Sequence, residues 1–403
     1  PRLRMIFGGS HGAGSGPWPQ PFEAELERGC FWAHPVWSSY VRLHRRIVSG
    51  QVPGRYLIFE PPLGQGLGNR LAGLESCLYL AMSSGRAILI HWAYPDIAGL
   101  FEPRFVDWRI QHTQQDYSNS SDAATVRLVN LRGNRTNHHK ARKILKSNVS
   151  VVHAVANTGM HGWESLGFGA LGHPNTTVKS LVRPATRLKG CAFHSLFRVR
   201  NQSGLRTLWD EAGAGIPPGP RLGVQLRAGD VSWGDPHDRR PVLSDRTIGL
   251  KDPRVGARQA VECMQQVAAQ VGLQPPCAIL FESDSAEAKE AARLPGSGGP
   301  CRVWSSDIVP QHSATGGANA TLETWLALAM MSTVEALLVT SGTLGNAAGL
   351  LGPAFVEPQR MLKFEDFLIK RAKLKLPRND TKDLCALSRQ STKAAKRLGA
   401  VLA

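Results

Sequence analysis

Three short stretches combine residue types able to hold a charged leaving group. The first, Gly64-Gln65-Gly66-Leu67-Gly68-Asn69-Arg70, lies between an apolar run, YLIFE at 56–60, and a segment with Leu71, Leu74, Leu78 and Met82 at helical spacing. A glycine-rich turn from strand into helix leaves backbone N–H groups free at the positive helix end, where an anion is stabilised. Gly68 and Asn69 belong to that turn. Arg70 sets a guanidinium against the helix dipole, which an anionic ligand explains better than helix stability does. A structural turn is the other reading, because G-x-G-x-G-N-R is not the dinucleotide G-x-G-x-x-G and no Walker lysine follows.

The second stretch, LGVQLRAGD at 222–230, reads as a strand delivering Gln225, Arg227 and Asp230 toward its carboxyl end. Arg227 is the strongest single candidate. A guanidinium can bind two phosphate oxygens at once and stays charged in a closed site, as a departing diphosphate requires. An ion pair between Arg227 and Asp230 that fixes the loop is the structural alternative. The third comprises two strand ends followed by helices, FESDS at 281–285 and LVTSGTLGN at 338–346. Ser283 and Asp284 suit helix caps equally well, and Asp284 could also accept hydrogen bonds from a guanine edge or a ribose. Thr340, Ser341, Thr343, Leu344 and Gly345 offer hydroxyls and amides to a phosphate, or simply make a turn. His194, flanked by apolar residues in CAFHSLF, fits a core histidine as well as a ligand contact, and His138 and His139 read as surface residues. For a base that deprotonates an acceptor hydroxyl, the carboxylates Asp230, Asp96 and Glu164 are available. There is no HExxH or DxD motif and no CxxC pair.

These stretches need scaffolding. Strand 56–60, glycine turn, helix 70–83 and strand 86–92 form a unit that implies parallel pairing. A second series contains strands at 222–226, 277–282, 302–304 and 335–341, with helices at 257–271, 285–293 and 321–331 between them. Alternation of this kind means a parallel sheet covered on both faces. Residues 37–48 suit a short basic helix, and residues 109–190 yield no regular pattern. Two series around an irregular middle predict two facing α/β domains, with ligand at the carboxyl ends of the strands.

At 403 residues and 42% apolar content the chain can build two cores. Its net charge of +17 favours a polyanionic partner, although part of the excess is a basic C-terminal stretch, which a solvated tail explains. Nucleic acid is not supported, because no RNP, helix-turn-helix, KH or zinc-finger signature is present. Asn119, Asn134, Asn148, Asn175, Asn201, Asn319 and Asn379 each open an Asn-X-Ser/Thr acceptor, favouring a lumenal history. The cysteines Cys30, Cys77, Cys191, Cys263, Cys277, Cys301 and Cys385 allow three disulfides and one thiol, with pairing undetermined. No run of 18 apolar residues exists, and an opening at Pro1 leads us to expect that an N-terminal signal or anchor has been lost.

Four segments, GLGNRLAGLESCLYLAMSSGRAILIHW at 66–92, FHSLF at 193–197, LGVQLRAGD at 222–230 and TLETWLALAMMSTVEALLVTSGTLGNAAGLLG at 321–352, resemble the plant and algal xyloglucan-type fucosyltransferases in content, order and spacing. The resemblance spans roughly residues 35–360, and its Arg227 block is similar to the wider group of α1,6- and protein O-fucosyltransferases. It implies a GT-B architecture of two Rossmann-like domains, an inverting reaction, GDP-fucose as donor, a glycan or glycoprotein acceptor, no metal cofactor and a Golgi location. It further implies Arg227 as the pyrophosphate ligand, the Gly68-Asn69-Arg70 loop as donor or cleft lining, and Thr340 to Gly345 as a donor-phosphate turn. Gln225 and Ala228 depart from positions that are often His and Arg in the wider group, and the acidic, histidine-rich midsection of the plant enzymes is not recognisable. A silent GDP-sugar-binding protein on the same scaffold is the alternative. The expected division is a stem-like segment at 1–54, an acceptor-side domain at 55–215, a donor domain at 216–366 and a basic tail at 367–403.

Overall fold

The computed structural model describes residues 30–62, 65–92, 96–110, 123–128, 143, 147–157, 165–181, 188–226, 252–294, 298–307, 317–340, 347–349, 351 and 361–363. They form two parallel sheets. The N-terminal sheet runs β2 (Ala87–Ile90), β1 (Tyr56–Glu60), β5 (Val151–Ala156), β4 (Ala123–Leu128), with every neighbour parallel. The C-terminal sheet runs β11 (Arg302–Trp304), β10 (Ala278–Ser283), β9 (Arg221–Leu226), β12 (Ala336–Val339), β13 (Met361–Lys363), again all parallel. Strands covered on both faces carry near-continuous apolar runs, which is why AILI and ALLV are buried at every position. Two short antiparallel pairs, β3 (Phe101–Pro103) with β8 (Phe197–Val199) and β6 (Gly167–Phe168) with β7 (His173–Thr177), lie outside these sheets.

Helix α1 (Pro35–Val48) opens on His34, whose Nδ1 accepts the Val36 N–H at 3.2 Å, with proline at the first helical position. Its Tyr40 hydroxyl accepts the Ile88 N–H at 3.1 Å and its His44 Nε2 bonds the Ile88 carbonyl at 3.0 Å, docking the helix on the N-terminal sheet. The Cys30–Cys191 disulfide ties the start of this region to α3 (Leu188–Leu196). Cys277–Cys301 links β10 to β11, Cys263 is also disulfide-bonded, and Cys77 is a buried free thiol.

The glycine turn feeds α2 (Leu67–Ser84), which starts three residues earlier than the apolar spacing suggests, so Gly68 and Asn69 lie in its first turn. Gly85 ends it in the left-handed conformation at φ 64°. Gly73 faces β5 so closely that a Cβ there would overlap the Ala156 carbonyl. The middle of the chain, patternless in sequence, supplies β4 and β5 and completes the sheet. In the C-terminal half, α5 (Pro253–Gln270), α6 (Ala286–Arg293) and α7 (Gly317–Met331) alternate with the strands, following α4 (Gly204–Ala214). The halves meet at Trp325 of α7, whose ring lies 4.9 Å from Phe101, 5.9 Å from Phe193 and 6.1 Å from Trp92. One apolar cluster therefore runs through both.

Candidate functional site

In the C-terminal sheet β9 is flanked by β10 on one side and β12 on the other, and ligands settle in such sheets outside the carboxyl ends where strand order reverses. At that edge the structure gathers Gln225 near the end of β9, Ser283 and Asp284 at the end of β10, and Thr340 after β12. All are buried, with 6–7% of their surface exposed. The Thr340 N–H donates to the Gln225 carbonyl at 3.1 Å, holding the two strand ends together.

Burying polar atoms costs free energy unless they are paired. Among the described residues, Gln225 Oε1 and Ser305 Oγ are buried here without a hydrogen-bond partner, as is Trp325 Nε1 at the junction of the halves. Glu323 on α7 has a buried, unpartnered Oε2, and desolvation pushes its carboxyl above the ordinary range, opposed by the charge of Lys289. Unmet donors and acceptors along one strand-end edge are what a polar ligand would satisfy.

The alternatives at Ser283 and Asp284 separate in the structure. Ser285 caps α6 by accepting the Ala288 N–H at 3.2 Å, and Ser283 Oγ accepts the Ser285 N–H at 3.2 Å. Neither Ser283 nor Asp284 is the cap, because the cap position falls one or two residues later, on Ser285. Beneath them Lys289 Nζ lies 2.5 Å from Glu282 Oε2 and donates to Ser306 Oγ at 2.8 Å, both ionic side chains being 6% exposed. This buried pair, invisible to motif reading, locks the end of β10 to the segment after β11. Arg293 Nη2 reinforces the lock through the Ser305 carbonyl at 2.9 Å.

The N-terminal half presents a different edge. Asn69 Nδ2 donates to Gln65 Oε1 at 3.1 Å and Arg70 Nε donates to the Gln65 carbonyl at 2.8 Å, so the glycine turn is held by its own side chains. The Arg70 guanidinium lies 5.8 Å from the Trp92 ring centroid and is 5% exposed, and burial lowers its pKa. Through Trp92 it reaches the junction with Trp325. Glu60, the last residue of β1, places Oε1 3.1 Å from His91 Nδ1 and 3.5 Å from His153 Nδ1. The sequence reading passed over all three, although Glu60 and His91 each break an apolar run at its carboxyl end.

His194 Nε2 lies 3.2 Å from the Leu351 carbonyl, joining α3 to the C-terminal half. Burial pushes its pKa down to about 4, so the ring is neutral at pH 7 and Nε2 donates. The Asp96 carboxylate accepts the Ala98 N–H at 3.0 Å as a helix cap. Arg227, Asp230, Ser341, Thr343, Leu344, Gly345 and the third base candidate, Glu164, lie outside the described residues. Among the described residues no group of three or more His, Cys, Asp or Glu side chains is arranged to hold a metal ion, and no helix is long and apolar enough to cross a membrane.

No family model matches the sequence, and no curated protein does. Solved structures do match. An arginine-to-lysine mutant of Arabidopsis thaliana FUT1 in complex with GDP superposes with a TM-score of 0.50 and 18% identity, covering 81% of this chain and 75% of that one. POFUT1 in complex with GDP gives a TM-score of 0.44 and 11% identity over 78% of this chain and 99% of that one. POFUT1 in complex with GDP-fucose gives 0.41 and 12% over 78% and 98%. The mixed α/β architecture with two parallel sheets is that of GT-B fucosyltransferase structures.

Proposed function

We propose that this chain is an inverting, metal-independent glycosyltransferase that transfers fucose from GDP-fucose to a glycan or glycoprotein acceptor. The observation that carries the reading is the carboxyl edge of the C-terminal sheet, where Gln225, Ser283, Asp284 and Thr340 are buried together and Gln225 Oε1 and Ser305 Oγ are unpartnered. The fold shared with FUT1 supports it. In the proposed reaction the fucosyl C1 passes through an oxocarbenium-like state while negative charge grows on the departing diphosphate. Arg227, two residues after Gln225 in the sequence, supplies a bidentate donor for that charge in this reading. Thr340 lies at the neighbouring strand end, and the sequence that follows it to Gly345 adds hydroxyls and amides in this reading. The sequence has no DxD carboxylates for a cation, so arginine and helix ends take over the neutralising role.

A panel of labelled GDP- and UDP-sugars in EDTA tests this without knowledge of the acceptor. Saturable GDP-fucose binding, with slow hydrolysis to GDP and fucose, is the expected result. Binding that vanished on chelation and returned with manganese would remove metal independence, and preference for a UDP-sugar would remove the donor assignment.

We place the protein in the Golgi lumen. The disulfides fit an oxidising compartment, and the acceptor asparagines Asn148, Asn175 and Asn201 are exposed. Glycosidase treatment of protein secreted from eukaryotic cells should lower its mass. Bare asparagines and reduced cysteines in natively sourced protein would overturn the placement.

A further inference from the structure

Along β1 and β2 the side chains alternate between faces. Tyr56, Ile58, Ala87 and Leu89 pack with Ile47 of α1 into one apolar cluster, and Glu60 and His91 continue those two rows beyond it, at the carboxyl edge. His153 of β5, beside Ile58 in register, brings its ring to the same carboxylate. Exposure increases from 15% at His153 through 33% at Glu60 to 57% at His91. The apolar face thus ends in a polar group whose outermost member is an imidazole open to solvent.

An ionised carboxylate only accepts hydrogen bonds. The 3.1 Å contact with Glu60 Oε1 therefore makes Nδ1 of His91 the donor, and in the neutral ring this leaves Nε2 with a lone pair. The His91 backbone is fixed by its N–H donating to the Phe59 carbonyl at 2.9 Å. The next residue, Trp92, carries its ring to 6.1 Å from Trp325, so His91 stands beside the junction with the donor half. An exposed carboxylate–imidazole contact adds little to stability, so stability does not account for its assembly from β1, β5 and the residue after β2. Among the described residues, Glu60 on β1 contacts His91, His153 on β5 contacts the same carboxylate, and the Arg70 guanidinium lies against the adjoining Trp92.

The geometry points to His91 Nε2 as the general base that deprotonates the acceptor hydroxyl, with Glu60 as its positioning residue. This inference rests on the fucosyltransferase reading above. As the acceptor oxygen bonds to C1 of the fucosyl group, its proton passes to Nε2. The bond from C1 to the phosphate oxygen breaks, its electron pair leaves on GDP, and the anomeric centre inverts. Glu60 stabilises the imidazolium formed, which then releases its proton to water. A base with an orienting carboxylate is worth about 10²–10⁴-fold in rate.

The test uses the full chain with labelled GDP-fucose and a panel of glycan acceptors, measuring donor affinity, transfer rate and melting temperature for the wild type, His91→Ala and Glu60→Gln. We expect His91→Ala to keep its melting temperature and donor affinity, to lose about 10²-fold or more in kcat, and to regain part of it with added imidazole. Glu60→Gln should lose about 10-fold and shift the acid limb of kcat/KM to lower pH, because the imidazolium loses its neighbouring charge. Wild-type kcat in His91→Ala, or a loss that imidazole does not restore and that follows a lowered melting temperature, overturns the base assignment alone. A wild type that binds GDP-fucose yet fucosylates no acceptor overturns the function and the base together.

Discussion

The two parallel sheets share an architecture and differ at their carboxyl edges. The C-terminal edge is closed: Gln225, Glu282, Ser283, Asp284, Lys289, Ser305, Ser306 and Thr340 are all buried there. The N-terminal edge is open, with Glu60 and His91 in contact with solvent. Each edge contains an acid–base pair, Glu282 with Lys289 at 6% exposure and Glu60 with His91 at 33% and 57%. Burial separates their roles. A dehydrated edge strengthens every charge interaction inside it and suits a fixed, highly charged donor, whereas a wet edge lets an acceptor enter and a proton leave.

The sharpest way to break this contrast is Lys289→Met, which leaves the Glu282 carboxylate buried without its cation. We expect a loss of about 3–5 kcal/mol in urea unfolding, partly recovered when Glu282→Gln is added. The corresponding change in the open pair, Glu60→Gln, should cost less than about 1 kcal/mol. Equal costs at the two sites would show that the edges do not differ in kind.

Arg227→Lys tests the proposed donor role of the C-terminal edge. Turnover should fall about 10²-fold or more, roughly 3 kcal/mol of barrier, with donor affinity reduced less and the melting temperature unchanged. A variant that is destabilised yet fully active per folded molecule would make Arg227 a loop-fixing ion-pair residue instead.

At the junction of the halves, His194 has a folded-state pKa of about 4, below the ordinary value near 6.5, because burial disfavours its charged form. A depressed pKa contributes stability that is present above the unfolded value and lost as pH falls toward the folded one. Between pH 7 and pH 5 the wild type should lose about 2 kcal/mol that His194→Gln does not lose, read from denaturant midpoints at each pH. Parallel curves would mean that the ring takes up its proton without disturbing the contact with Leu351.

The smallest expected effect is Gly73→Ala. Helix propensity favours alanine by up to about 1 kcal/mol, and the overlap with the Ala156 carbonyl costs about 1–3, for a net destabilisation near 1. Calorimetry on that variant measures how tightly α2 sits on β5. A stabilised variant would show that the N-terminal half yields where the C-terminal half does not.

Much of the scaffold was legible because strands covered on both faces need uninterrupted apolar runs. YLIFE, RVW and the glycine turn predicted β1, β11 and the start of α2 to within a few residues. The turn and strand ends that carry Asn69, Gln225, Ser283 and Thr340 were readable as turns and strand ends for the same reason, since local chain direction is set by local sequence. The fragments β4 and β5 were not, because AATVRL and VVHAVA join the sheet through partners far away in the chain.

What the sequence by itself determined is the alternation of strand and helix, the disulfide-permitting cysteine content and the acceptor asparagines, all properties of composition or of neighbours along the chain. The tertiary structure decided strand order, the pairing of Cys30 with Cys191, the burial of Lys289 against Glu282, and the convergence of Glu60, His91 and His153. A strand-end residue acquires its chemistry from the strands packed beside it, and parallel pairing brings together residues that are tens of positions apart in the chain.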